Sequence, residues 1–137
     1  MMMSKQLMNW YHKTSRDMPW RETSNPYKIW ISEVMLQQTR VETVIPYYIK
    51  WIHKYPTIYD VHNESIDNLL KAWEGLGYYN RVKNFKVSCD RICNEYNGII
   101  PQDYSEFITF KGVGPYIASA VLSIAFNNCN MPIISLS

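Results

Sequence analysis

Helix caps, prolines and glycines punctuate this chain at intervals that suit short helices, and no stretch between them shows the apolar/polar alternation of a half-buried strand. Asn25-Pro26 is the clearest of these marks: a capping residue followed by proline at the first helical position. Behind it Tyr27, Trp30, Ile31, Val34 and Met35 recur at i, i+3, i+4, i+7 and i+8, the rhythm of an amphipathic helix. An earlier helix is expected over Ser4 to Thr14, with Leu7, Trp10 and Tyr11 on one side, and then a loop from Ser15 to Asn25.

The rest of the chain reads the same way. Pro46 kinks or restarts the next helix, which ends near Tyr55-Pro56. Thr57 caps a short helix, and Ser65 caps another that runs to Trp73 and is stopped by Gly75. A longer helix is expected from Tyr78 to Tyr96, with Val82, Phe85, Cys89, Ile92, Cys93 and Tyr96 inward, closed by Gly98. A short helix near Asp103 to Phe110 leads into Lys111-Gly112-Val113-Gly114, and Pro115 opens a final helix to about Phe126. The expected fold is all-α, a bundle of short helices without repeats or low-complexity linkers.

Composition sets outer limits. At 137 residues the chain has the length of one ordinary domain, and 47% apolar residues argue against disorder. No run approaches the ~20 apolar residues of a membrane span, and the N-terminus lacks an apolar stretch of signal-peptide length. The three cysteines, Cys89, Cys93 and Cys129, have no framework spacing and suit a reducing compartment. Cys89 and Cys93 share a helix face, and core packing is the preferred reading over metal binding. A net charge of +2 does not by itself announce nucleic acid, and the 11 tyrosines and 5 tryptophans could serve either a core or base stacking.

Two features carry chemistry. In Phe110-Lys111-Gly112-Val113-Gly114-Pro115, two glycines allow a tight turn and a close approach by a partner. The first N–H groups of the helix opened by Pro115 lack internal partners, which suits a phosphate. This is the physics of a helix-hairpin-helix clamp on a DNA backbone; a plain turn between helices fits the residues equally well. Glu33 lies at the edge of the apolar stripe. A carboxyl there is expected to have a raised pKa and to hold a proton for general acid catalysis, although the residues alone also fit a surface glutamate at the margin of the stripe.

These residues resemble the MutY family of adenine DNA glycosylases, within the endonuclease III superfamily. The resemblance rests on Met18-Pro19-Trp20-Arg21, on the run from Asn25 through Ser32-Glu33-Val34-Met35-Leu36-Gln37-Gln38-Thr39, and on Val44-Ile45-Pro46-Tyr47-Tyr48. It continues through Trp73-Glu74-Gly75-Leu76-Gly77-Tyr78-Tyr79-Asn80-Arg81 and Gly112-Val113-Gly114, and so covers nearly the whole chain.

The resemblance implies an enzyme that flips adenine mispaired with 8-oxoguanine or guanine out of duplex DNA and hydrolyses its glycosidic bond. It gives Glu33 the role of the acid that protonates adenine and places Tyr116 beside the reacting sugar. Arg21 and Trp30 would line the adenine pocket, Gln38 and Tyr78 would wedge into the base stack, and Gly112, Val113 and Gly114 would hold the DNA backbone. Strand-cutting relatives carry a lysine where this chain has Tyr116, so base removal alone is implied. The implied fold is the six-helix helix-hairpin-helix glycosylase module over residues 21–130, with residues 1–20 packing on an iron–sulfur cluster domain and residues 131–137 as a tail.

The sequence departs from the family near its end. Ser135 stands where the family has an aspartate that stabilises the cationic sugar. The four cysteines of the family's 4Fe–4S cluster and its 8-oxoguanine-recognising domain are expected downstream of residue 137, so this chain is expected to ligate no metal and to be an impaired, truncated glycosylase. Two alternatives differ in class or target: a DNA-binding remnant without chemistry, and a glycosylase for thymine opposite guanine, against which the Glu33 signature speaks. The expected partner is double-stranded DNA bearing an adenine mismatch, met by a monomer with no membrane attachment. The expected setting is bacterial cytoplasm at the nucleoid, or the nucleus or an organelle in a eukaryote.

Overall fold

The computed structural model describes residues 23–126, which form seven helices and no strand. They are α1 (Pro26–Leu36), α2 (Val41–Lys54), α3 (Ile58–Asn63), α4 (Ile66–Trp73), α5 (Asn80–Glu95), α6 (Tyr104–Phe107) and α7 (Pro115–Phe126). The expected first helix, Arg21, Cys129 and Ser135 lie outside the described residues. None of the described helices is long and apolar enough to cross a membrane.

Local chemistry sets most boundaries. The Asn25 side chain accepts hydrogen bonds from the Tyr27 and Lys28 amides at 3.0 and 3.2 Å, and Pro26 opens α1 without a wasted donor. Ser65 accepts from the Asn68 amide at 3.2 Å, and Asp103 from the Ser105 amide at 3.0 Å. Asp60 reaches back to the Thr57 amide at 2.8 Å.

Helix α1 is the central element. Tyr27, Ile29, Trp30, Ile31, Val34 and Met35 are all buried, so the helix is apolar on nearly every side. It packs against α7, α2 and α5. Its buried Ser32 hydroxyl donates to the Ile29 carbonyl at 2.6 Å. Around it the aromatic side chains meet edge to face: Trp30 on Phe85 at 4.6 Å and on Phe107 at 5.4 Å, Trp51 on Trp73 at 5.8 Å. The polar tips of this core are satisfied in series, Trp51 donating to the Tyr27 hydroxyl at 3.0 Å and Tyr27 to the Tyr55 carbonyl at 2.6 Å.

The structure differs from expectation in three places. Helix α2 runs unbroken through Pro46. An interior proline costs about 3 kcal/mol; here its exposed ring faces out while Val44, Tyr48 and Trp51 on the opposite side are buried, and that burial offsets the lost bond. Helix α5 starts at Asn80 rather than Tyr78, because Tyr78 has φ +49°, outside the helical region. The helix expected over Asp103 to Phe110 is one turn, Tyr104–Phe107, followed by turns. Cys89 is fully buried, and burial pushes its thiol pKa up, as for an inert packing residue.

Candidate functional site

Three parts of the fold make up the candidate site: the turn before α7, Glu33 on α1, and the turns that follow α1 and precede α5. The first is the turn before α7. Gly112 has φ +79°, a left-handed conformation that favours glycine, and a Cβ there would sit 2.9 Å from Asn84 Cβ. Ser88, buried on α5, donates to the Lys111 carbonyl at 2.7 Å and ties the turn to the bundle. Arg91 lies over the Phe110 ring at 4.2 Å and donates to the Thr109 hydroxyl at 3.1 Å. Val113 is buried, and its amide donates to the Phe110 carbonyl at 3.0 Å. Gly114 is different: its φ is not left-handed and a Cβ would meet nothing within 4 Å. Nothing among the described residues requires glycine there. Gly112→Ala is therefore expected to lower stability by about 1–3 kcal/mol; Gly114→Ala should stay within about 1 kcal/mol of the parent. Urea melts of both variants check this.

The second part is Glu33, half-buried on α1 where that helix packs against α7. Burial raises its pKa, and a hydrogen bond donated by the Tyr116 hydroxyl partly opposes the rise. Tyr116 is the second residue of α7 and is 40% exposed, so the pair reaches from the core edge to the surface. A carboxyl in such a place keeps its proton above the usual carboxylate range and can deliver it to a base.

The third part is a pair of residues in rare backbone conformations. Gln38, just after α1, has φ +62°, and Tyr78, just before α5, has φ +49°. Both are exposed, Tyr78 to 61%. Left-handed backbone at non-glycine residues costs of order 1–3 kcal/mol and persists where the surroundings hold it.

Of the site residues expected from the sequence, Glu33 and Tyr116 are brought into direct contact, and Gln38 and Tyr78 lie in two turns that share one clasp. Trp30 lies elsewhere. It is 1% exposed, held between Phe85 and Phe107, and offers no surface to an incoming base among the described residues. Sequence reasoning missed Arg81, which it quoted within a motif and gave no role. Its guanidinium donates to the Val34, Met35, Gln37, Leu76 and Gly77 carbonyls and to the Thr39 hydroxyl. Its place three residues after Tyr78 was the available signal. Among the described residues no group of three or more His, Cys, Asp or Glu could hold a metal ion. Cys89 and Cys93 do not fit a four-thiolate cluster site.

A hairpin aimed outward beside a half-buried acid on an all-helical scaffold defines a class. Residues 31–128 match the HhH-GPD superfamily base excision DNA repair protein model, and the chain belongs to that superfamily. Within it the chain is similar to proteins named adenine DNA glycosylase. One from Buchnera aphidicola subsp. Baizongia pistaciae is 46% identical over 122 residues, which is 88% of this chain and 35% of that protein. The human one is 39% identical over 129 residues, 88% of this chain and 24% of that protein. The chain thus spans about a third of the length of the first of these relatives. Among solved structures, a thermostable thymine-DNA glycosylase superposes with a TM-score of 0.78 at 30% identity, over 88% of this chain and 56% of that one. A trapped covalent intermediate of endonuclease III with DNA superposes at 0.71 and 26% identity, over 92% of this chain and 62% of that one.

Proposed function

We propose that this chain carries the adenine-removing half-reaction of DNA base excision repair: it binds duplex DNA, accommodates an unstacked adenine mispaired with 8-oxoguanine or guanine, and releases it by hydrolysis. The observation that carries this reading is Glu33, half-buried, raised in pKa and hydrogen-bonded by Tyr116 at the α1–α7 junction. The carboxyl gives its proton to a ring nitrogen of adenine. The bond between sugar and base breaks with its electron pair leaving on the base, water adds to the sugar carbon, and the water's surplus proton restores the carboxyl. Tyr116 supplies no amine for a Schiff base, so the strand stays intact. Arg21 joins the adenine pocket in this reading, and Gly112 and Gly114 offer backbone amides to phosphate oxygens, while Val113, whose amide is held by the Phe110 carbonyl, anchors the hairpin from beneath. A DNA substrate sets the protein beside the chromosome.

Ser135 lacks the charge of the aspartate that the family resemblance implies at its position. Removing one positioned electrostatic stabiliser typically costs about 10²–10³ in rate, so release is expected to be slow and is best followed under single turnover. The test is incubation with excess protein of duplexes holding adenine opposite 8-oxoguanine, thymine opposite guanine, or normal pairs only. Adenine release from the first duplex alone supports the proposal. Thymine release redirects it to the other mismatch, and tight binding without release of any base replaces it with a DNA-binding role. Gly114→Ala should weaken binding to all three duplexes about ten-fold, the loss of roughly one backbone contact, as read by anisotropy at fixed salt.

A further inference from the structure

Arg81 sits on the first turn of α5 and reaches two separate turns at once. Its Nη1 donates to the carbonyls of Val34 at 3.1 Å, Met35 at 2.9 Å and Gln37. Its Nη2 donates to the Thr39 hydroxyl at 3.1 Å, the Leu76 carbonyl at 3.3 Å and the Gly77 carbonyl at 3.1 Å. The first four acceptors end α1 and form the turn that carries Gln38. The last two lie in the turn that carries Tyr78. The guanidinium plane also stacks 5.2 Å from the Trp73 ring and 5.6 Å from the Tyr78 ring. Four N–H hydrogens serving six acceptors must be shared, which only a flat, rigid fork permits; an ammonium group cannot span both turns.

We propose that Arg81 is a positioning residue, a clasp that fixes the 37–39 turn against the 74–79 turn and so sets Gln38 and Tyr78 in the register needed to enter a base stack from two sides. The second half of this statement rests on the reading of Gln38 and Tyr78 as wedge residues. Both residues hold left-handed backbone that their side chains disfavour, and the clasp supplies the outside restraint that such conformations need. It also takes up carbonyls at the end of α1, where no glycine closes the helix.

The test is Arg81→Lys in the whole chain, with two readouts. The first is amide hydrogen exchange at Thr39 and Leu76, whose N–H groups bond within the two turns, against Ile31 and Ile92 in the helix centres. Exchange at Thr39 and Leu76 is expected to quicken about ten-fold or more while the helix centres stay protected, as for local opening. The second is the fluorescence of 2-aminopurine beside a mismatch, which rises on unstacking. The rise is expected in the unaltered chain and to fall at least about five-fold in Arg81→Lys, Gln38→Ala and Tyr78→Ala, each read with the duplex saturated by protein so that any change in affinity does not enter. Thr39→Ala removes one bond of the clasp and should move both readouts the same way by less, which serves if Arg81→Lys does not fold. Unchanged exchange at both turns in both variants overturns the clasp whatever the DNA does. Quickened exchange with no fluorescence rise in the unaltered chain leaves the clasp standing and overturns the wedge role.

Discussion

Trp30→Ala is expected to lose about 3–5 kcal/mol of folding stability, the usual cost of deleting a large buried aromatic side chain. That is a large share of the 5–15 kcal/mol that holds an ordinary domain together, and the variant should be extensively unfolded by moderate urea. The reason is its place in the packing. The indole is 1% exposed and meets Phe85 and Phe107 edge to face, so its removal opens a cavity among α1, α5 and α6 that the neighbouring rings cannot fill. Trp30→Phe keeps part of that contact and should cost clearly less. Equilibrium urea unfolding measures both. A side chain that merely lined a base pocket would behave otherwise: Trp30→Ala would melt like the parent and lose only the interaction with DNA.

Glu33→Gln has the opposite pair of effects. Amide replaces carboxyl at nearly constant shape, so the fold and the contact with Tyr116 persist while the transferable proton is gone. General acid catalysis by a positioned side chain contributes about 10²–10⁴ in rate, and adenine release should fall by that factor with duplex affinity little changed. Stability should rise at neutral pH. Burial lifts the folded-state pKa of Glu33 above its value in the unfolded chain. The folded state therefore binds the proton more tightly, and stability conferred by the protonated form is present at low pH and lost as pH climbs through the raised pKa. The glutamine variant escapes that loss. It should melt a few degrees above the parent at pH 7 and close to it at pH 4, as followed by circular dichroism. A fall in activity joined to a fall in stability would point to a structural role for the carboxylate instead.

The helices were largely legible because their signals are local. Caps at Asn25, Thr57 and Ser65 and the apolar rhythm from Tyr27 to Met35 need only neighbouring residues to be read. The boundaries that differed are those where distant residues decide. Nothing in the residue type of Tyr78 separates a helix start from φ +49°; the decision comes from the packing of the 74–79 turn, which Arg81 ties to the distant turn after α1. Arg81 itself was illegible because five of its six acceptors are backbone carbonyls, one of them 47 positions away, and a carbonyl carries no sequence signature. For Pro46 the local rule pointed to a break, and burial on the far side of α2 outweighed it. Glu33 was legible as a carboxylate at the edge of an apolar stripe, but its partnership with Tyr116, 83 residues later (116 − 33), needed the fold to bring α7 against α1. For Trp30 the periodicity of its own helix leads into the core, where the side chain is buried.

One measurement bears most directly on the claim that the Glu33 carboxyl hands its proton to a flipped adenine: the rate of adenine release as a function of pH under single turnover, alongside the ionisation of Glu33 followed by carboxyl NMR in the same protein. The account predicts a rate that is level while Glu33 is protonated, falls about ten-fold per pH unit above the pKa seen by NMR, and shifts its falling limb upward in Tyr116→Phe, where the bond favouring the carboxylate is gone. A release rate that passes through the ionisation of Glu33 without change would contradict it.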